Sequence, residues 1–298
     1  MSGTSITGEA TEQTLPATVA NATSAGRLRK RKSRERRIPV WAALVLIISA
    51  LYFLLPLYAT AAFSLSTGKH FTLQPLWDGL ADGGFQTSLQ LSLEYSIVTT
   101  ILALVVVAPT AYLVELRFAR LRSTIEFVTI LPFVIPPIIL AVGLETVFGI
   151  NSPINLIASD WAPMLLVGGY FVLTMPFTFR AIDNALRAVD IRTLTEASYS
   201  LGAGPVQTFI KVIVPSISLG LVSAALLAFT TAMGEFTLAA LLAYATFPVY
   251  LLNEYNVQPR IGESLVLVSF AITWAGVIAL ALVARRTPGA QLVRGGPM

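Results

Sequence analysis

The chain is 298 residues long, 55% hydrophobic and only 12% charged, with a formal net charge of +4 and a mean hydropathy of +0.74. Those proportions exclude an ordinary soluble globular domain and belong to a chain that lives in a membrane. The absence of cysteine removes disulfides and thiolate metal sites, and the single histidine, His70 in an outer loop, supports neither a metal cluster nor a catalytic triad.

In chain order, residues 1–37 read as a cytoplasmic tail. Up to about residue 26 it is rich in Ser, Thr, Ala and Gly with no apolar face, so no burial offsets the entropy of ordering and disorder is expected. The polybasic stretch from Arg27 to Arg37 is a topology anchor, which beside anionic lipid would gain about 1 kcal/mol per basic residue. Asn21-Ala22-Thr23 fits a glycosylation sequon, but on a cytoplasmic tail it would not be reached.

Residues 38–286 read as one transmembrane domain, because no polar segment is long enough for a second core, and residues 287–298 as a cytoplasmic C-terminal tail. Crossing a hydrocarbon layer of about 30 Å takes roughly 20 helical residues. Six such runs recur, at about Trp41 to Phe63, Leu89 to Val114, Ile125 to Phe148, Pro163 to Phe179, Ile217 to Leu242 and Ser264 to Val283. They are continuously apolar rather than alternating, and lipid offers backbone groups no partners, so helices are expected and a β-barrel is not. The expected fold class is all-α, a polytopic membrane helix bundle of about six transmembrane helices. Ala59-Thr60-Ala61 looks like a signal-peptidase site, yet the run before it is longer than an h-region of about 7–15 residues, which favours an uncleaved anchor.

With the N-terminus inside, 18 of the 20 Lys and Arg residues fall on the inner side and only Lys69 and Arg260 outside, which orients both termini to the cytoplasm. The basic balance therefore reflects topology, and no polar stretch interleaves basic and aromatic residues as a nucleic-acid surface would.

Leu131-Pro132-Phe133-Val134-Ile135-Pro136-Pro137 interrupts the third run. Pro136 and Pro137 remove amides about 16–18 Å along a helix from Ile125, near mid-bilayer. Freed carbonyls are tolerable only against protein, water or substrate, so the break either lines a pathway or is a packing kink. In the fifth run Gly220, Ala224, Ala228 and Ala232 recur every fourth residue, a small-residue stripe for close helix approach within the chain or between two copies. Beyond it, Glu235 in Met233-Gly234-Glu235-Phe236 is costly in an apolar run unless paired or wet. It marks a pathway, or the helix ends at Gly234 and Phe236 to Leu251 is a re-entrant or surface segment. Glu94 and Glu145, toward the outer ends of their helices, would with Glu235 make an outer vestibule electronegative and suited to a cation.

Between the fourth and fifth runs, Thr193-Leu194-Thr195-Glu196 has the form of a capping box, so a helix should start there. Leu194, Ala197, Ser198 and Leu201 share one face, and Gly202 stands where a left-handed C-terminal cap is needed. Ala203-Gly204-Pro205 turns the chain into a second short helix through Phe209 and Val212, and Pro215 marks the entry to the fifth span. An isolated two-turn helix is marginal in water, so a covering partner is expected. The alternative is a hairpin packed on its own subunit with Glu196 as nothing more than a cap.

Glu196-Ala197-Ser198, three residues, Gly202, nine residues, then Val212-Ile213-Val214-Pro215 resembles the EAA loop of permease subunits of type I ABC importers, with Ser in place of the second Ala and Val in place of Ile and Leu. The resemblance covers roughly Trp41 to Val283. It implies a MetI-like fold in the inner membrane, with Glu196, Ala197, Ser198, Leu201, Gly202 and Pro215 as positions that couple to an ABC ATPase dimer. It also implies a second permease copy or paralogue, an extracytoplasmic solute-binding protein, and no cofactor held by this chain. The Leu131 to Pro137 and Gly234-Glu235-Phe236 segments look similar to those of the spermidine/putrescine, iron(III) and oxoanion branch. Pro136, Pro137, Glu235 and Glu94 are the implied pathway positions, and a polyamine is the first solute expected, with iron(III), an organophosphonate or an oxoanion next. Gly68-Lys69-His70 lacks the residues of a P-loop, so ATP would be hydrolysed in another chain. Two rivals fit less well. A self-sufficient secondary transporter would need ion coupling and usually an inverted repeat, which is not visible. An intramembrane enzyme would need paired acids in one plane, and Glu94, Glu145 and Glu235 are scattered.

Overall fold

Hydrocarbon gives backbone N–H and C=O groups nothing to bond, so a chain of this composition closes its hydrogen bonds within helices. A computed structural model describes residues 40–67, 70–157 and 159–286 and builds them from helices and one minimal antiparallel ladder, Ser66–Thr67 (β1) against His70–Phe71 (β2). The expected tails, residues 1–37 and 287–298, lie outside the described residues.

The chain divides into two units, residues 1–52 and 53–298. The described part of the first is the opening of helix α1 (Val40–Ser64), whose Leu44, Ile47, Leu51 and Tyr52 are exposed, as side chains facing lipid are. The second unit continues α1 and then runs through α2 (Gln74–Ala81), α3 (Gly83–Leu116), α4 (Arg122–Val134), α5 (Pro137–Phe148) and α6 (Ala162–Arg187). After α6 come the short α7 (Ile191–Ser200) and α8 (Pro205–Thr208), a π-helical segment Phe209–Ile213, and α9 (Val214–Ser216). The chain closes with α10 (Ser218–Met233), α11 (Thr237–Leu241), α12 (Phe247–Val257) and α13 (Pro259–Arg286).

Among the described residues four helices are long and apolar enough to cross a membrane, and the α4–α5 pair would supply a fifth crossing. The sixth expected run, Ser264 to Val283, lies within the 28 residues of α13. Two of the six runs differ from a continuous helix. The third is not a kinked span: α4 and α5 meet at 97°. Ile135, ahead of two prolines, is extended at φ −89° and ψ 115°, because a residue before proline avoids the helical region. The fifth crosses as Ser218–Leu241, 24 residues, but its helix is interrupted at Gly234 to Phe236, between α10 and α11.

Helices α3, α6 and α10 pack on one another at the centre. Burying apolar surface in lipid releases no water, so their association rests on van der Waals contact and interhelical hydrogen bonds, both favoured by small side chains. Ala103, Ala108 and Ala111 of α3 and Ala224 and Ala228 of α10 are fully buried. Gly220 of α10 lies so close to α6 that a Cβ there would overlap the Ala185 Cβ. The small-residue stripe is thus used inside this chain. One apolar cluster gathers Tyr112, Ile182, Leu186, Ile191 and Ile213 beneath the α7–α8 turn. A second holds Tyr95, Leu166, Tyr170 and Leu238, and a third joins Phe85, Met233, Phe247 and Leu265.

Gly220→Leu should overpack the α6–α10 contact by about 1–3 kcal/mol and lower the thermal midpoint of the detergent-purified protein. Gly168→Ala in α6, where a Cβ meets open space, should leave that midpoint unchanged.

Candidate functional site

The α7–α8 turn forms an elbow whose two ends are fixed by different chemistry. At the start, Asp190 caps α7: its Oδ1 accepts from the Thr193 amide at 3.2 Å and its Oδ2 from the Thr193 hydroxyl at 2.7 Å. These bonds, the hydroxyl's first, hold the Asp190 carboxyl below its ordinary pKa. The helix therefore begins at Ile191, and Asp190, not Thr193 with Glu196, is its cap. At the other end the Ala203 amide donates to the Ser198 carbonyl at 3.1 Å and the Gly202 amide to the Tyr199 carbonyl at 2.9 Å. That is a Schellman closure, and it puts Gly202 at φ +84°.

The elbow has an inner and an outer face. Inward, Ile191, Thr195, Ser198, Thr208 and Ile213 are buried. The Ser198 and Thr208 hydroxyls pair at 2.9 Å, clamping α7 to α8, and the Thr195 hydroxyl pairs with Tyr112 of α3 at 3.1 Å. The Tyr112 ring also packs on Phe209, with centroids 5.3 Å apart. Outward, Glu196 and Ala197 are exposed, Leu201 is 89% exposed and Val206 69%. Ser198 is accordingly an internal clamp, split from its expected face-mates Ala197 and Leu201. Gly202 and Pro215 are exposed. The Tyr112–Thr195 pair was invisible in the sequence because its members are 83 residues apart, and Thr208 because the turn that brings it to Ser198 had to form first.

Next to the elbow, five residues from three helices form an ion network. Arg122 at the start of α4 bonds Glu115 of α3, Glu126 at 2.9 Å and Asp183 of α6 at 2.5 Å. Arg187 closes the ring to Asp183 at 3.1 Å and to Glu126 at 3.2 Å.

The α4–α5 break borders a cavity of about 450 Å³ lined by Pro132 to Pro137, Leu173, Phe177, Thr231 and Gly234 to Thr237. Pro136, Pro137 and Glu235 therefore meet at one place. Glu235 is 9% exposed, and its two carboxylate oxygens accept the amides of Thr237 and Leu238, each at 2.9 Å, so it caps the start of α11. The Tyr170 hydroxyl donates to the Glu235 carbonyl at 3.4 Å. Glu94 is exposed on α3 and does not line this cavity, while Glu145 borders a separate concavity with Asn151 and Ser152. Glu235 and Glu145 thus line different pockets, and Glu94 lines neither.

Residues 107–286, which include the elbow, the ion network and the α4–α5 break, match the family described as binding-protein-dependent transport system inner membrane component. The chain belongs to this family. It is a permease subunit of an ABC-type importer, a transport component of the inner membrane. The molybdenum transport permease ModB of Azotobacter vinelandii is 33% identical over 158 residues, 50% of this permease and 69% of that protein. The putrescine permease PotI of Escherichia coli K12 is 24% identical over 258 residues, 82% of this permease and 91% of PotI. The sulfate permease CysW of Synechocystis is 26% identical over 245 residues, 77% of this permease and 88% of CysW. In fold the permease is similar to a bacterial ABC transporter that imports alginate, with a TM-score of 0.61 at 15% identity over 84% of this chain and 96% of that one. It is also similar to the inward-facing methionine transporter MetNI, with a TM-score of 0.52 at 23% identity over 68% and 95%.

Ser198→Ala and Thr208→Val should each strand one buried hydroxyl, at a cost of about 1–3 kcal/mol, read as faster amide exchange across α7 and α8. The double variant should cost less than the two single changes together, the sign of direct coupling.

Proposed function

We propose that the elbow is the seat of a separate ABC ATPase dimer, and that the permease, with a second copy or paralogue, moves a small charged solute delivered by an extracytoplasmic binding protein. The two-faced elbow carries this reading. Its inner face is closed by hydroxyl pairs and apolar packing, while Leu201 and Val206 are held outward by an ordered turn, 89% and 69% exposed. Apolar side chains presented on a rigid turn among charged and polar neighbours need a cover. Glu196, Ala197, Leu201 and Gly202 are the positions that would meet it, Ser198 would hold their shape from within, and Pro215 would lead the stroke into α10. The positive-inside distribution of Lys and Arg supports a cytoplasmic elbow and cytoplasmic termini, on the side where ATP is.

The mechanism is alternating access. Closure of the ATPases on ATP draws the elbows together and biases the helix bundles toward the outward-open state, and hydrolysis resets them. A polyamine is the first solute reading, supported by the similarity to PotI. An oxoanion is the second, supported by the similarity to ModB and CysW.

Proteoliposomes with and without the partner ATPase test the coupling. Uptake should require both, and uptake by this chain alone would replace the reading with a self-sufficient transporter. Gly202→Val should lose roughly 1–2 kcal/mol of turn stability, since a left-handed backbone is strained in a side-chain-bearing residue, and should uncouple hydrolysis from transport. Gly202→Asn, whose side chain tolerates that conformation, should remain coupled. A Cβ at Gly202 meets nothing within 4 Å, so equal behaviour of the two variants would contradict the role given to the turn.

A further inference from the structure

We infer that the open pocket at the α4–α5 break is an ammonium-recognising site that gives the pathway its preference for amine cations. This deepens the solute reading above and rests on it. Three features of the walls converge on that chemistry. Phe133, Phe177 and Phe236 contribute aromatic surface, with the Phe133 and Phe177 rings 5.3 Å apart and inclined at 58°. Ring faces attract cations. Glu235 supplies the formal negative charge, and its two oxygens, which accept the Thr237 and Leu238 amides, keep acceptor capacity beyond them.

The third feature is backbone. In a continuous helix the carbonyls of Pro132 and Phe133 would accept from the amides of residues 136 and 137, and both of those are proline. Two acceptors are thereby left without helical donors in residues that line the cavity. Among the described residues no Lys, Arg or His lines it. A wall of aromatic faces, carbonyls and a carboxylate offers acceptors to an ammonium, which brings several N–H donors and a positive charge. An oxoanion needs donors instead, and the side chains here provide only the hydroxyls of Thr231 and Thr237. About 450 Å³ lies within the size range of small-molecule sites and admits an aliphatic amine.

The test titrates the permease, assembled with its ATPase and second permease and without the solute-binding protein, with spermidine and with molybdate and sulfate, followed by calorimetry. Spermidine should bind and the two oxoanions should not. Phe177→Leu should weaken spermidine binding by about 5-fold, whereas Phe177→Tyr, which keeps the ring, should stay within about 2-fold. Binding of an oxoanion in place of spermidine, no binding of spermidine, or equal effects of Leu and Tyr would overturn the site. ATP-dependent uptake of spermidine, molybdate and sulfate, compared between Gly202→Val and Gly202→Asn, is scored separately. If that dependence survives while spermidine fails to bind, the site falls and the coupling reading stands.

Discussion

Any interruption of a helix in this chain has to replace the backbone hydrogen bonds it breaks, because the surrounding hydrocarbon replaces none. At Gly234 to Phe236 the replacement is made by side chains. The Glu235 carboxylate takes the Thr237 and Leu238 amides that open α11, and the Ser92 hydroxyl of α3 takes the Phe247 amide that opens α12 at 2.7 Å. At the elbow Asp190 serves the first turn and the Schellman pair serves the last. The α4–α5 break is treated differently. Two prolines remove donors from the positions facing the Pro132 and Phe133 carbonyls, and a cavity lies beside them.

The elbow shows why a two-turn helix that would be marginal alone is ordered here. Each hydroxyl pair, Ser198 with Thr208 and Thr195 with Tyr112, adds a net contribution of about 1 kcal/mol, and Ile191 and Ile213 anchor both arms in the cluster under it. Its shape is therefore set by this subunit before any partner arrives.

The apolar runs were legible in the sequence because hydropathy and length are local properties, and so was the left-handed turn, since glycine at position 202 is a local requirement. The cap was misplaced for a reason that local chemistry does not contain. Both Asp190 and Thr193 are good N-caps, and the choice fell to Asp190, which lets α7 start at Ile191, a residue that fills the cluster against α6. Ser198 was assigned to the outer face by helical period, but a face two residues wide can be claimed by whichever neighbour offers a hydroxyl, and Thr208 does. In the fifth run hydropathy carries on past Gly234, so the break there is written only in the single acid that caps the next helix. The ion network was half legible. Arg122 with Glu126 and Asp183 with Arg187 are each spaced four apart, as helical ion pairs are, but nothing in the spacing says that the two pairs share partners.

That shared ring has a mechanical reading. Helix α6 ends at Arg187 and the elbow starts at Ile191, so the segment bearing Asp183 and Arg187 is nearly continuous with the elbow. Arg122 and Glu126 tie the root of α4 to it, and the tip of α4 is the proline-rich wall of the cavity. Helices resist bending, so a displacement of the α4 root would be carried to the proline-rich wall at its tip, with the five charged side chains as the joint between α3, α4 and α6.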